Sequence, residues 1–150
     1  MKEAYCSYEI SKLLKEKGFE ESTQFVWYEH LPSPNAVFNL EIDKPKRDYF
    51  YWEKEGERNS PWINNSPVPS YIRGEVYSCP THQMAIAWLR KKGIYITIIY
   101  GDYPTKKKVF WTPQIDSLEG FDLSDSFYQE YDLYEDAVEA ALKYCLENLI

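Results

Sequence analysis

Apolar residues recur at helical spacing in three stretches, one near each end of the chain and one past its middle. These stretches are residues 4–17, residues 80–92 and a segment that opens with an acidic cap at Asp132. A stripe of this kind is typical of a helix with one buried face. Gly18 and Gly93 follow the first two stretches, at the position where a left-handed residue ends a helix. The pattern therefore predicts three helices.

Five shorter runs are β-branched, aromatic or alternating, as expected for strands. They span residues 25–28, 37–42, 49–52, 94–100 and 109–111. Turn-forming residues separate consecutive runs, and such short connections favour antiparallel neighbours. Together with the helices, these runs predict an α+β fold in the order α-β-β-β-α-β-β-α. We expect one antiparallel sheet of about five strands, with the helices packed mainly on one of its faces.

The length of 150 residues suits one domain, and we expect a single domain over residues 1–150. Residues 59–80 carry several prolines and predict a long irregular loop inside it. No run approaches the ~18 apolar residues of a membrane helix. The first residues show no apolar run behind a basic start. We therefore expect no signal peptide, no membrane association and a cytoplasmic location.

Composition adds little to this picture, because 44% apolar and 27% charged residues are ordinary for a soluble globular chain. The three cysteines, Cys6, Cys79 and Cys145, are odd in number and far apart. We expect them to be reduced and to act as small buried hydrophobes.

The spacing of Cys79 and His82 points to catalysis. A thiol at a helix N-terminus beside an imidazole is a candidate nucleophile, but the sequence identifies no third group to orient the pair. Cys79-x-x-His82 also has only half of a zinc site. We therefore expect no metal and no cofactor. The simpler interpretation is a linker cysteine before a proline and an exposed histidine in the first helical turn.

Two basic segments, residues 90–92 and residues 106–108, raise the alternative of single-stranded nucleic-acid binding. Tyr103 and Trp111 would then offer rings on which bases stack. The net charge of −7 argues against this, since phosphate backbones attract cationic surfaces. A charged hairpin tip and a helix end that complements its dipole explain the same residues.

The aromatic content is the unusual feature: 14 Tyr, 7 Phe and 5 Trp make up 17% of the chain. We expect some of these rings to lie at the surface, where Tyr and Trp are enriched in contact patches. The candidates for partner binding are Tyr49, Tyr51, Trp52, Trp62 and Tyr71. The alternative is that the rings fill a wide interface between sheet and helices.

Two motifs resemble a known group of proteins. The first runs from residues 79–83 (CPTHQ) through residues 88–92 (WLRKK) into an isoleucine-rich strand, and the second is residues 134–142 (YEDAVEAAL). They resemble small proteins of phages and Bacteroides-type genomes, in which a P-T-H-x-Q and W-[FL]-R helix precedes such a strand and a Y-x-x-A-x-x-x-A helix closes the chain. The resemblance implies a phage or prophage gene in a bacterial host, and the group has no known activity that could be carried over to this chain.

These observations favour a non-enzymatic phage or prophage accessory protein that binds a protein partner or a second copy of itself. A small enzyme or nucleotide-handling module that uses Cys79 and His82 is the alternative.

Overall fold

The computed structural model of the chain describes residues 4–28, 46–47, 63–65, 75–118 and 128–150. The helices are α1 (Tyr8–Glu16), α2 (His82–Lys91) and α3 (Tyr134–Asn148). The strands are β1 (Phe25–Tyr28), β2 (Lys46–Arg47), β3 (Val76–Cys79), β4 (Ile94–Tyr103) and β5 (Lys108–Ser117). These elements confirm the α+β class, although β2 and β3 are not the strands that the sequence predicts between the first two helices.

The described strands form two antiparallel sheets, so the prediction of one sheet of about five strands is wrong. In the first sheet, β1 lies between β2 and β3. In the second, β4 pairs with β5 alone within the described part of the chain. The chain divides correspondingly into two compact units. The first unit is Tyr5–Pro80, and the second is Thr81–Ile150 together with Met1–Ala4.

Strand β3 lies inside the segment that the sequence predicts as an irregular loop. It pairs with β1 over four residues, from Phe25↔Cys79 to Tyr28↔Val76. All four residues of β3 are buried. A short strand buried on both faces has no alternation of apolar and polar residues, and periodicity cannot reveal it. The strands predicted at residues 37–42 and 49–52 lie outside the described residues.

The first two helices begin with hydroxyl caps, and each ends next to the glycine that its sequence predicts. Ser7 and Thr81 precede α1 and α2, and each side chain accepts a hydrogen bond from a backbone N–H three residues later. Gly18 and Gly93 have φ angles of 86° and 81°, which L-residues with a side chain rarely adopt. After α1, the Phe19 amide donates to the Leu14 carbonyl at 2.9 Å, which completes a Schellman ending.

Aromatic side chains form the centre of the first unit. Trp27, Tyr77 and Cys79 are buried together, and Tyr8 packs against both rings edge-on, at 6.2 Å from Trp27 and 5.5 Å from Tyr77. The Trp27 Nε1–H donates to the Cys6 carbonyl at 3.1 Å, so the buried indole keeps a hydrogen-bond partner. Several of the rings that the composition makes conspicuous are therefore core residues.

Asn64 joins two separate segments of the first unit. Its Nδ2 donates to the Phe19 carbonyl at 2.6 Å, and its Oδ1 accepts from the Ser78 amide at 2.7 Å. The side chain is 6% exposed. The amide thus satisfies one backbone acceptor after α1 and one backbone donor of β3.

A long hairpin and two helices form the second unit. Strands β4 and β5 pair without interruption from Ile94↔Ser117 to Tyr103↔Lys108, and a 3₁₀ turn at Pro104–Lys106 connects them. Helix α3 packs against β5 and β4, and α2 packs against β4 and α3. The buried residues of α3 are Ala137, Val138, Ala141, Leu142, Cys145 and Leu146. Among the described helices, none is long and apolar enough to cross a membrane.

Helix α3 begins one residue later than its sequence predicts. Its N-cap is Leu133, which makes no side-chain cap hydrogen bond. The Asp132 carboxylate, the predicted cap, lies 2.8 Å from the Lys108 ammonium instead. This hydrogen bond raises the pKa of Lys108. The ion pair with β5 thus takes the place of a helix cap.

We expect Asn64→Ala to lower the free energy of unfolding by about 2 kcal/mol, because a buried backbone donor and acceptor both lose their partner. Asn65→Ala is the matched control, since Asn65 is exposed; it should change stability by less than about 0.5 kcal/mol. Urea unfolding followed by circular dichroism measures both. Equal stability of the two variants would contradict the bridging role of Asn64.

We expect Leu133→Ser to raise the free energy of unfolding by about 1 kcal/mol, because the hydroxyl can accept from an unsatisfied amide in the first turn of α3. Leu133 is 57% exposed, so little packing is lost. Leu133→Ala removes the same apolar surface without supplying a cap and should not stabilise. Thermal unfolding of the two variants compares them directly, and equal midpoints would show that capping is not limiting.

Candidate functional site

Cys79 is buried at the end of β3. It is 1% exposed, and its thiol lies 3.5 Å from the Cys6 carbonyl, to which it donates. All three cysteines are free and buried. Burial raises the pKa of the Cys145 thiol to about 12. These environments are those of structural thiols, since a reactive cysteine needs access and stabilisation of its thiolate.

His82 is the first residue of α2, and it is buried at 5% exposed. The expectation of an exposed histidine in the first turn is therefore wrong. Its Nε2 lies 2.8 Å from Oε1 of Glu139 on α3. Its Nδ1 is buried and has no hydrogen-bond partner among the described residues. Glu139 is the orienting group that the sequence does not identify.

The His82–Glu139 pair has a defined chemical character. A carboxylate that accepts from Nε2–H holds the neutral imidazole in the tautomer whose Nδ1 carries a lone pair. Such a nitrogen can act as a base or as a metal ligand. One imidazole and one carboxylate are two of the four ligands of a structural zinc site, so the pair alone does not constitute a metal centre.

The predicted partner-binding residues, Tyr49, Tyr51, Trp52, Trp62 and Tyr71, all lie outside the described residues. The exposed apolar residues that the structure does describe concentrate on the β4–β5 hairpin. Five of the nine large exposed hydrophobic side chains lie there. We call these five the hairpin patch: Tyr95, Ile99, Tyr100, Tyr103 and Val109.

The hairpin patch occupies both faces of the hairpin. Because side chains alternate along a strand, Tyr95, Ile99 and Tyr103 share one face. They are 37%, 46% and 37% exposed. Tyr100 and Val109 lie on the opposite face near the tip, where Tyr100 is 56% exposed. Further from the tip this second face carries Ile94 and the fully buried Ile115 and contributes to the core.

Close packing holds the tip of the hairpin in one arrangement. The Phe110 ring lies over Gly101, where a Cβ atom would come within 2.3 Å of it. The Tyr103 ring lies 4.9 Å from Phe110, and its hydroxyl donates to the Glu130 carboxylate at 2.7 Å. This hydrogen bond raises the pKa of Tyr103. The patch is thus a preorganised surface.

The outer edge of β4 carries backbone groups that the hairpin does not use. The amide and carbonyl of Trp111 bond to Tyr131, both at 2.8 Å, so they point away from β4. Tyr100, opposite Trp111, therefore belongs to a non-hydrogen-bonded pair and directs its own N–H and C=O outward. By the same alternation, Ile96, Ile98 and Asp102 point outward too. The Leu118 amide donates to the carbonyl of Gly93, the residue just before β4. By the same alternation Gly93 directs its backbone groups towards β5, so this bond agrees with the assignment.

Basic residues lie at both ends of β4. Arg90, Lys91 and Lys92 are exposed just before it, and Lys106 and Lys107 are exposed just after it. Lys106 lies 5.4 Å from the centre of the Tyr103 ring, a cation–π contact that holds its charge beside the patch.

Trp111, a predicted stacking ring for nucleic acid, packs inside the unit. Its ring contacts Tyr134 at 5.3 Å and Tyr100 at 5.6 Å, both edge-on. Tyr103 is half-exposed on the other face, so the two rings do not form one stacking surface.

Sequence reasoning missed most of the hairpin patch. The available signal was the length of the isoleucine-rich strand, which extends to Tyr103 and beyond the reach of the helices that cover its base. Periodicity marks a strand but does not show which of its ends a helix covers.

Comparison with known proteins finds no matching family model, no matching curated protein and no matching solved structure. The resemblance to proteins of phages and Bacteroides-type genomes stays a prediction.

We expect all three thiols to resist alkylation in the native protein and to react once it is unfolded, because each lies in the core. A thiol-reactive chromophore such as dithionitrobenzoate, with and without guanidinium, measures this. A Cys79→Ala variant assigns any reactive site. Rapid native reaction that disappears in this variant would revive the catalytic interpretation of Cys79.

Proposed function

We propose that this protein is a non-enzymatic interaction module that binds a protein partner through the hairpin patch. The observation that carries the proposal is the concentration of exposed apolar side chains on one ordered hairpin. Exposed apolar groups scattered singly are normal on soluble proteins, whereas their concentration on one element, here three side chains on one face of the hairpin and two on the other, is typical of a contact site.

The chemistry of the patch suits protein binding. Three of its five members are tyrosines, whose large and stiff rings combine apolar area with a polar hydroxyl. Such residues dominate the energetic centres of interfaces. The packing of Phe110 on Gly101 and the Tyr103–Glu130 hydrogen bond fix the surface before a partner arrives. Less ordering is then required on binding.

The other candidate functions have less support in the described residues. Cys79 is a buried thiol that donates to a backbone carbonyl, which is the environment of a structural cysteine. The alternative of an enzyme that uses Cys79 and His82 stays a prediction. Trp111 packs against Tyr134, so one of the two rings predicted to stack on nucleic-acid bases is engaged within the protein. A role as a phage or prophage accessory factor in a bacterial cytoplasm is part of the proposal and rests on the resemblance.

We expect the double substitution Tyr95→Thr and Ile99→Thr to weaken partner binding by tenfold or more, since it removes two exposed anchors while keeping good strand formers. The control is Leu118→Thr with Leu133→Thr, which changes exposed apolar residues outside the hairpin patch. Quantitative affinity capture from a lysate of a Bacteroides-type bacterium compares wild type, variant and control. Sedimentation velocity measures self-association alongside.

A partner, or a second copy, retained by wild type and control but lost by the hairpin variant supports the proposal. An identical set of captured proteins for all three, with no change in self-association, would contradict it. Circular dichroism of the variant must match that of the wild type for either result to count.

A further inference from the structure

We propose that the outer edge of β4 is a docking site for an extended strand of a partner protein, apolar in its centre and acidic at both ends. This inference rests on the proposed function and names the mode of binding and the chemistry of the partner.

The edge of β4 is long, and the part of the chain that the structure describes places no device there that blocks pairing. Ile96, Ile98, Tyr100 and Asp102 direct their backbone groups outward, and none of them bonds to another described residue there. From Ile94 to Asp102 the edge extends for about 27 Å. Natural edge strands are usually short, bulged, or interrupted by proline or lysine. Strand β4 pairs with β5 without a bulge, and the only charge along this edge is Asp102 near its end.

A strand added at this edge would bring its side chains next to the hairpin patch. Residues of neighbouring strands that lie on one face contact each other in cross-strand pairs. On one face the added strand meets Tyr95, Ile99 and Tyr103, and on the other it meets Tyr100. Backbone hydrogen bonds would supply the register and the apolar side chains the specificity, as in other cases of strand addition. The exposed face and the edge, which is unpaired among the described residues, thus form one binding surface.

The charges at the two ends of β4 select the occupant. Arg90, Lys91 and Lys92 lie at one end, and Lys106 and Lys107 lie at the other. A partner strand with acidic residues at both termini places opposite charges together in either direction, since Lys106 and Lys107 outnumber Asp102, the one acid of β4. Such complementarity directs encounter and excludes wrong partners.

A second copy of this chain does not meet that requirement. Antiparallel pairing of two β4 edges would bring Arg90 and Lys91 of one copy towards Lys106 and Lys107 of the other. Parallel pairing would bring each basic group against its own equivalent. Like charges placed opposite each other across strands are destabilising, so the charges argue against self-association at this edge.

Single-stranded nucleic acid is also disfavoured, although its phosphates would meet the same basic ends. Tyr95 and Tyr103 lie about 27 Å apart along the strand. Consecutive bases require rings much closer together to stack on.

The probe is the acetylated and amidated peptide Asp-Glu-Val-Thr-Ile-Thr-Val-Glu-Asp, added to the full-length protein. We expect it to bind at least tenfold more tightly than Lys-Lys-Val-Thr-Ile-Thr-Val-Lys-Lys, with affinity that falls as salt rises. A version with proline at the central position removes one strand donor and should also bind at least tenfold more weakly. Amide exchange followed by NMR reports the geometry. Binding should slow the exchange of the Ile96, Ile98 and Tyr100 amides at least tenfold.

Two substitutions separate the edge from the face. Thr97→Lys introduces a lysine in the centre of the edge strand, and Gln114→Lys introduces one directly opposite on β5. We expect Thr97→Lys to weaken peptide binding at least tenfold and Gln114→Lys to weaken it less than threefold. Equal effects would contradict edge pairing, because a lysine on either strand disturbs the shared face alike.

Several outcomes would overturn the inference. The inference is wrong if the acidic peptide does not bind, or if it binds without slowing exchange of the outward amides. It is also wrong if a twelve-residue oligothymidylate binds more tightly than the peptide, or if the protein forms a dimer that Thr97→Lys dissociates. The proposed function has its own test: loss of a captured partner by the Tyr95→Thr, Ile99→Thr variant. If that loss occurs while the peptide fails, the hairpin patch is an interface but strand addition is not its mode.

Discussion

The register between β4 and β5 is the constraint on which the second unit depends. Hydrogen-bonded and non-hydrogen-bonded residue pairs alternate along an antiparallel ladder. The two hydrogen bonds between Trp111 and Tyr131 therefore show which way every backbone group in the hairpin points. Pro113 lies two residues further along β5, at a position whose nitrogen also points away from β4. The proline therefore costs the ladder no hydrogen bond. A slip by one residue would expose Ile96 and Ile98 and direct Tyr95 and Ile99 inward.

The end of α2 determines where this register begins. Gly93 adopts a left-handed conformation, and its carbonyl accepts from the Leu118 amide at 3.0 Å. A residue with a side chain would be strained there and would bring its Cβ within 3.2 Å of Leu118. Gly93 thus ends α2, leads directly into β4 and accepts a hydrogen bond from Leu118, the residue that follows β5. Lys92, just before it, lies 4.5 Å from the Trp88 ring and keeps a positive charge at this end of the strand.

Local signals in the sequence predict the helices and the class of fold, and they fail where a contact is distant along the chain. The glycine endings after α1 and α2 depend on a few consecutive residues, so the pattern contains them. Strand β3 depends on pairing with β1 about fifty residues earlier, and it has no periodicity of its own. Glu139 and His82 are 57 residues apart. Nothing near His82 indicates that a carboxylate on α3 orients it. The hairpin patch was missed for a related reason, since exposure depends on where α2 and α3 cease to cover β4.

An exposed edge of this length is a hazard for any soluble chain, and the charges at its ends offer a physical explanation of how it is tolerated. Aggregation through edge strands requires like sequences to pair. Basic residues that flank the edge on both sides place like charges together in every such pairing, yet they leave the central backbone groups accessible. Natural sequences place charged residues beside unavoidable apolar strands for the same purpose. Here the same residues that oppose self-pairing would attract a strand of opposite charge. One arrangement of charges can therefore keep the protein monomeric at this edge and select its partner, and the two effects should weaken together as salt is added.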